Sequence, residues 1–98
     1  MSDGCIRIDK WLWHARFYKT RSLAQDAAIS GRIRRNDARV EKAALEVRPG
    51  DILTLGRGRD TLVVRIVACG TRRGPAREAQ ALYQILDDSV LDPGPRRS

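Results

Sequence analysis

The chain has 98 residues, with 19 Lys+Arg against 12 Asp+Glu and a formal net charge of +7. A chain this short folds as one domain and buries only about two-thirds of the surface its unfolded form exposes, which excludes a multi-domain enzyme with a deep cleft between lobes. Hydrophobic residues at 42% beside charged residues at 32% fit a globular protein and not a disordered one.

The opening Met1-Ser2-Asp3-Gly4-Cys5 has no basic stretch followed by an apolar one, so no secretory signal is expected, and residues 1–5 are read as a flexible N-terminus. Asp9 is placed to cap a helix with its carboxylate on free backbone N–H groups. Ile8, Trp11, Leu12 and Ala15 follow at i, i+3, i+4 and i+7, a stripe that faces a core. Lys10, Trp13, His14 and Phe17 repeat that spacing on a neighbouring face, with Arg16 beside it. The pattern predicts a first helix over Asp9–Phe17, broken at Tyr18-Lys19. Thr20 or Ser22 caps a second helix, and Ser22 with Gln25 has the capping-box spacing. Gly31 supplies a left-handed stop. The short connection predicts that the two helices pack as a corner.

After Gly31 the period changes. Arg32-Ile33-Arg34 alternates, Asn36-Asp37 has turn chemistry, and Val40 resumes the pattern. Pro49-Gly50 is a turn. Ile52–Leu55 and Thr61–Val67 read as strands joined through Gly56-Arg57-Gly58-Arg59-Asp60, with Leu62, Val64 and Ile66 on one face and Val63, Arg65 and Val67 on the other. Gly70–Pro75 is a basic loop. Pro75 suits the first turn of a C-terminal helix with the apolar stripe Ala79, Leu82, Tyr83 and Leu86. Asp87 and Asp88 read as solvated charges at that helix's end, and residues 87–98 as a disordered tail.

The charge is uneven. Residues 1–39 hold nine basic groups (Arg7, Lys10, Arg16, Lys19, Arg21, Arg32, Arg34, Arg35, Arg39) against four acids, while each later third carries a single excess cation. Sixteen of the 19 cations are arginine, whose planar fork pairs with phosphate through two parallel bonds and stacks on bases. Local density of this kind points to a polyanion. No run reaches the roughly 18 apolar residues of a membrane-spanning helix. Cys5 and Cys69 form no C-x-x-C pair and have one histidine, His14, to join them, so no metal site is expected. A disulfide between them is open in principle; a reduced, cytoplasmic protein fits better.

Arg7-Ile8-Asp9-Lys10-Trp11-Leu12-Trp13 and Ala15-Arg16-Phe17-Tyr18-Lys19-Thr20-Arg21-Ser22-Leu23-Ala24 closely resemble the opening of the heat shock protein 15 family. The likeness continues through Gly31-Arg32-Ile33, Pro49-Gly50-Asp51, Arg72-Arg73-Gly74-Pro75-Ala76 and Ala79-Gln80-Ala81-Leu82-Tyr83, spanning about residues 6–86. The resemblance implies an α+β domain carrying the alpha-L motif of ribosomal small-subunit protein S-four: two N-terminal helices on a small, mostly antiparallel sheet, plus a C-terminal helix, with the motif over about 7–55. It departs from the family in three places. Asn36-Asp37 stands where the family reads Asn-Gly, Ala27-Ala28 replaces larger apolar residues with Ile29 off the expected face, and a longer basic C-terminal extension is reduced to Arg96-Arg97.

What the resemblance implies in function is an RNA-binding protein on the large ribosomal subunit, in rescue or recycling of subunits blocked by a nascent chain on transfer RNA. Carried over by position, the RNA face is Arg7, Lys10, Arg16, Lys19, Thr20, Arg21 and Ser22, with Arg32 and Arg34 beyond the glycine; the adjacent Arg35 is a further candidate on its charge and strand position. The start of the second helix adds free N–H groups and a positive dipole end. Expected partners are ribosomal RNA and the large subunit, with transfer RNA or non-specific DNA as secondary ones, bound by a monomer without a cofactor. Trp13, Phe17 and Tyr18 are candidates for stacking on unpaired bases, although aromatic spacing of this kind belongs more often to a core. Trp11 and Leu12 read as core, His14 as a surface or half-buried side chain. The neighbouring pair Asp87-Asp88 is no catalytic dyad and the glycines near residue 56 lack the Lys-Ser/Thr of a nucleotide-binding loop, so no enzymatic activity is expected. Two alternatives remain: an accessory to an RNA-modifying, pseudouridine synthase-like activity, and an adaptor that docks a protein on an apolar face.

Overall fold

The apolar residues spaced along the first helix decide where the core lies: Ile8, Trp11, Leu12 and Ala15 are all buried. The computed structural model describes residues 6–57 and 60–89. In chain order the elements are β1 (Ile6–Arg7), α1 (Ile8–His14), α2 (Arg21–Ile29), β2 (Ile33–Arg35), β3 (Ala38–Arg39), β4 (Glu46–Val47), β5 (Ile52–Arg57), β6 (Asp60–Ile66), α3 (Ala76–Gln80) and β7 (Tyr83–Ser89). Five strands form an antiparallel sheet in the order β3-β2-β5-β6-β7, and β1 pairs with β4 in a separate two-stranded ribbon. Ile33, Leu53, Leu55, Val64 and Ile66 are buried in the same core as Trp11, Leu12, Ala24 and Ala28 of the helices.

α1 is shorter than the pattern predicted, and Asp9 does not cap it. Arg7 stands at the N-cap, Asp9 lies within the first turn, and the helix ends at His14. Arg16 turns left-handed at φ 65°, with Arg16 N–H donating to the Trp13 carbonyl and Phe17 N–H to that of Leu12. That pair of bonds is a Schellman closure. It was hidden in the sequence because arginine, not glycine, holds the left-handed position. Three donors then latch this segment to the chain beyond β6: Trp11 Nε1 to the Ala68 carbonyl at 2.9 Å, His14 Nδ1 against the Cys69 carbonyl at 3.2 Å, and Arg16 Nη1 to the Gly74 carbonyl at 2.8 Å.

α2 is capped by Thr20, whose hydroxyl accepts the Leu23 N–H at 3.1 Å; of the two candidate caps, Ser22 is not the one used. Gly31 follows the helix at φ +87°, the expected left-handed stop. Ala28 is buried while Ile29 stays 58% exposed, so the small residues let α2 approach the core closely and the displaced isoleucine is left outside. Asn36 and Asp37 close the β2–β3 hairpin at φ 51° and 75°. Two successive positive values are what a tight two-residue hairpin requires, and Asn and Asp tolerate them best after glycine.

The C-terminal helix is present but covers only five residues, with Pro75 at its N-cap. The predicted stripe splits: Ala79 is buried on α3, whereas Tyr83 begins β7 and Leu86 is 42% exposed on that strand. Apolar residues clustered at 82, 83, 85 and 86 fit either period over so short a run. The free edge of β6 pairs with Tyr83–Ser89, with one register shift opposite Val63 and Val64, and the strand wins. Asp87 and Asp88 are therefore strand residues opposite Val63 and Leu62, not helix-end charges. Residues 1–5, Gly58-Arg59 and 90–98, with the readings made for them, lie outside the described residues.

Candidate nucleic-acid interface

α1 leaves the ribbon directly after β1, and α2 packs across α1 so that its first turn meets the same corner. Asp9 sits at that meeting point, fully buried. Its Oδ1 accepts Arg7 Nε at 3.1 Å and the Lys10 N–H at 2.7 Å; its Oδ2 accepts Arg7 Nη2 at 3.0 Å and faces Arg21 Nε at 3.6 Å. Burial pushes the Asp9 carboxyl upward, but hydrogen bonds from Arg7 and Gln25 and the charges of Arg21 and Arg7 outweigh it and hold the group below its ordinary value of 3.8. One buried anion thus gathers two arginines from different elements.

That anion does not use up the cations. The side chains of Arg7 and Arg21 keep 44% and 38% of their surface open, although Arg21 Nε itself is buried. Lys10, Lys19, Thr20 and Ser22 are exposed around them, and the first turn of α2 contains no acid to cancel its positive dipole end. His14 lies beneath this surface and not on it: it is 1% exposed. Burial lowers its pKa, the Cys69 carbonyl raises it, and the charges of Lys10 and Arg21 lower it, with a net shift downward from 6.5.

The other sequence-predicted residues are distributed differently. Arg16 belongs to the far end of α1, exposed and anchored on Gly74. Arg32 lines a shallow groove beside α2 with Tyr18, Leu23 and Ser30. Arg34 and Arg35, as neighbours on a strand, point to opposite faces. Arg34 is exposed and stands directly opposite Arg39 on β3. Arg35 is half-buried, its Nη1 3.7 Å from Asp51 Oδ2. Asp51 also accepts the Arg48 N–H and the Asn36 amide, so Arg35 belongs to the turn that sets the hairpin.

Two features escaped the sequence reading. Asp9 has the pattern of a helix cap, and nothing local reveals that α2 crosses over it. Arg39 is one of the clustered cations, but nothing in its neighbourhood places it in the site. Its guanidinium lies across Gly31, so close that a Cβ there would stand 2.8 Å from Arg39 Nη2. This puts a cation at the C-terminal end of α2, where the helix dipole favours one, and beside Arg34 on the hairpin. The aromatic candidates Trp13, Phe17 and Tyr18 are all partly buried and packed against the core.

The S4 domain family model matches residues 6–53, the segment from β1 into β5 that carries this corner. Over 90 residues the chain is 41% identical to the heat shock protein 15 homolog of Haemophilus influenzae, covering 92% of this chain and 68% of that protein. It is 35% identical over 88 residues to the RQC P-site tRNA stabilizing factor of Bacillus subtilis, covering 88% of this chain and 98% of that one. The trimeric structure of Vibrio cholerae heat shock protein 15 superposes with a TM-score of 0.77 at 40% identity, over 84% of this chain and 82% of the other. The chain spans about two-thirds, 63–68%, of the length of the heat shock protein 15 relatives from Haemophilus influenzae and Escherichia coli that it matches.

Proposed function

The chain belongs to the heat shock protein 15 family and carries that family's S4 domain, and from that premise we propose that it binds structured RNA of the large ribosomal subunit and acts, without catalysis, on subunits that retain a nascent chain on transfer RNA. The observation that carries this reading is the corner around Asp9, where Arg7, Lys10 and Arg21 converge from three elements and keep exposed donors. Lys19, Thr20 and Ser22 are exposed at the start of α2 beside this corner, and Arg16, Arg32 and Arg34 are further exposed cations proposed to contact the same RNA. Arg35 contributes through the hairpin it braces. Phosphates supply most of the affinity, and the shape of the corner chooses the helix, because bases in the narrow major groove of A-form RNA are out of reach. The name of the Bacillus relative, a P-site tRNA stabilizing factor, favours a subunit still holding transfer RNA over free ribosomal RNA as the physiological target. A protein working on such a subunit is cytoplasmic.

Titration onto large-subunit ribosomal RNA at several salt concentrations tests the reading. About five phosphate contacts give a log–log slope of roughly −3.5 to −4.5, and a flat response overturns it. The binding face is built within one chain, so we expect the active unit to be a monomer of 11.0 kDa by light scattering; a stable trimer like that of the Vibrio relative would overturn that part alone.

A further inference from the structure

Where the end of α1 meets α3 and β7, a half-open groove of about 250 Å³ is lined by Arg16, Phe17, Ala76, Gln80 and Tyr83. Two of its walls are aromatic. The Phe17 and Tyr83 rings stand 4.7 Å apart at 44°, each packed against the core on one side and partly open on the other. Phe17 is braced from behind by Trp11, whose ring centroid is 5.8 Å away, so the wall is fixed in place. Gln80 is exposed at the rim and offers an amide donor and an amide acceptor. Arg16 is exposed as well, with one of its five donors spent on the Gly74 carbonyl and the fork thereby oriented.

The backbone adds a second reason to regard Arg16 as placed for its side chain. Its φ of 65° is a conformation that glycine adopts freely and arginine adopts only against backbone strain. A residue chosen for the turn would be glycine.

An aromatic ring face, an amide and a cation side by side complement a planar heteroaromatic ring with a hydrogen-bonding edge and a phosphate attached. We propose that this groove is a subsite for one unpaired nucleobase of the bound RNA, stacked on the Tyr83 ring with the inclined Phe17 ring beside it, read at its edge by Gln80, with Arg16 on the adjoining phosphate. The base comes from a loop, bulge or strand end, since paired bases stay inside the helix. This rests on the RNA-binding reading above and deepens it: the Asp9 corner holds the backbone, and the groove selects RNA that has a base to spare next to it.

Two measurements on the full chain test the subsite. In the first, amide chemical shifts are followed on titration with adenosine 5′-monophosphate and, separately, with ribose 5-phosphate, which has no base. Saturable shifts at Phe17, Gln80 and Tyr83 with the nucleotide alone are expected; equal shifts with both probes, or none with either, overturn the subsite. In the second, binding of a single-stranded adenosine decamer is compared for the parent chain, Gln80→Ala and Tyr83→Leu. Loss of a base stack is expected to weaken Tyr83→Leu about fivefold or more, and Gln80→Ala, at an exposed position that leaves the core intact, weakens in the same direction. The salt slope stays unchanged in both, because neither variant removes a charge. Unaltered affinity in both variants, with the steep salt response to ribosomal RNA retained, defeats the subsite alone; loss of that salt response in the parent chain defeats the RNA reading itself.

Discussion

Asp9 holds Arg7 from beneath the surface in a two-pronged pair, Oδ1 to Nε at 3.1 Å and Oδ2 to Nη2 at 3.0 Å, two residues apart across the junction of β1 and α1. The carboxylate is out of contact with water, while the arginine is nearly half exposed. The anion is therefore internal structure and the cation is surface. A phosphate arriving at the corner meets guanidinium groups already oriented by an acid it cannot reach.

Replacing Asp9 by Asn tests that arrangement. The variant keeps the shape but removes the charge that Arg7 and Arg21 face, and we expect a loss of about 1–3 kcal/mol at pH 7, below the usual cost of splitting a buried pair because both arginines can turn to water. Its folded pKa lies below 3.8, so the stabilisation by Asp9 is fully present above that value and fades as pH falls through the folded value. The parent and the variant should thus differ at pH 7 and converge in strong acid. Urea denaturation at pH 7 and at pH 3 measures both gaps; an unchanged gap would mean that Asp9 is not the group being protonated.

Lys10 and Lys19 should behave unlike Arg35. The two lysines are exposed on the proposed RNA face, so Lys10→Ala and Lys19→Ala are each expected to reduce the salt slope on ribosomal RNA by about 0.7–0.9, with folding stability nearly unaltered. Arg35 is tied to Asp51, and Arg35→Ala is expected to leave the slope alone while lowering the denaturation midpoint. Equal slopes for all four proteins would place the phosphates elsewhere.

What the sequence reveals and what it conceals divide along contact distance. The stripe Ile8, Trp11, Leu12 and Ala15, the stop at Gly31 and the alternation in β6 are local patterns, and each stands as read. The β1–β4 ribbon joins Ile6 to Val47, and two residues per strand carry no period to detect. β7 exists because β6 has an open edge, which no window around Leu82–Leu86 contains. The same holds for the site: the cations were legible as a cluster, but that Arg35 faces Asp51, or that Arg39 covers Gly31, depends on strand facing and hairpin register.

Gly31→Ala separates backbone strain from crowding. At φ +87° an alanine costs about 1–2 kcal/mol, and its Cβ also meets the Arg39 guanidinium at 2.8 Å. The guanidinium is the far end of a flexible side chain and moves aside easily, so the penalty is mainly that of the backbone. Thermal denaturation of Gly31→Ala and of Gly31→Ala with Arg39→Ala should show the same loss attributable to the glycine change. Rescue by the second substitution would assign the cost to crowding.

His14 gives the chain a second acid-sensitive element in a separate window. The side chain is buried, and because a carbonyl only accepts, its Nδ1 carries the proton donated to Cys69 at 3.2 Å. Burial is the main cause of its lowered pKa, opposed by the Cys69 carbonyl and reinforced by the charges of Lys10 and Arg21. The unfolded chain therefore takes up this proton first: stability is fully present above pH 6.5 and declines as pH falls below it through the folded value. Asn places an amide N–H near the position of Nδ1 and has no titration, so His14→Asn should lose stability at pH 7.5 through poorer packing yet show a flat profile from pH 6.5 down to the carboxylate range. The chain has one histidine, so a decline in that interval that persists in His14→Asn would assign the acid sensitivity to a group other than His14. Urea midpoints at half-unit steps between pH 7.5 and 4.5 distinguish the two profiles, and the parent curve alone should bend where the variant stays level.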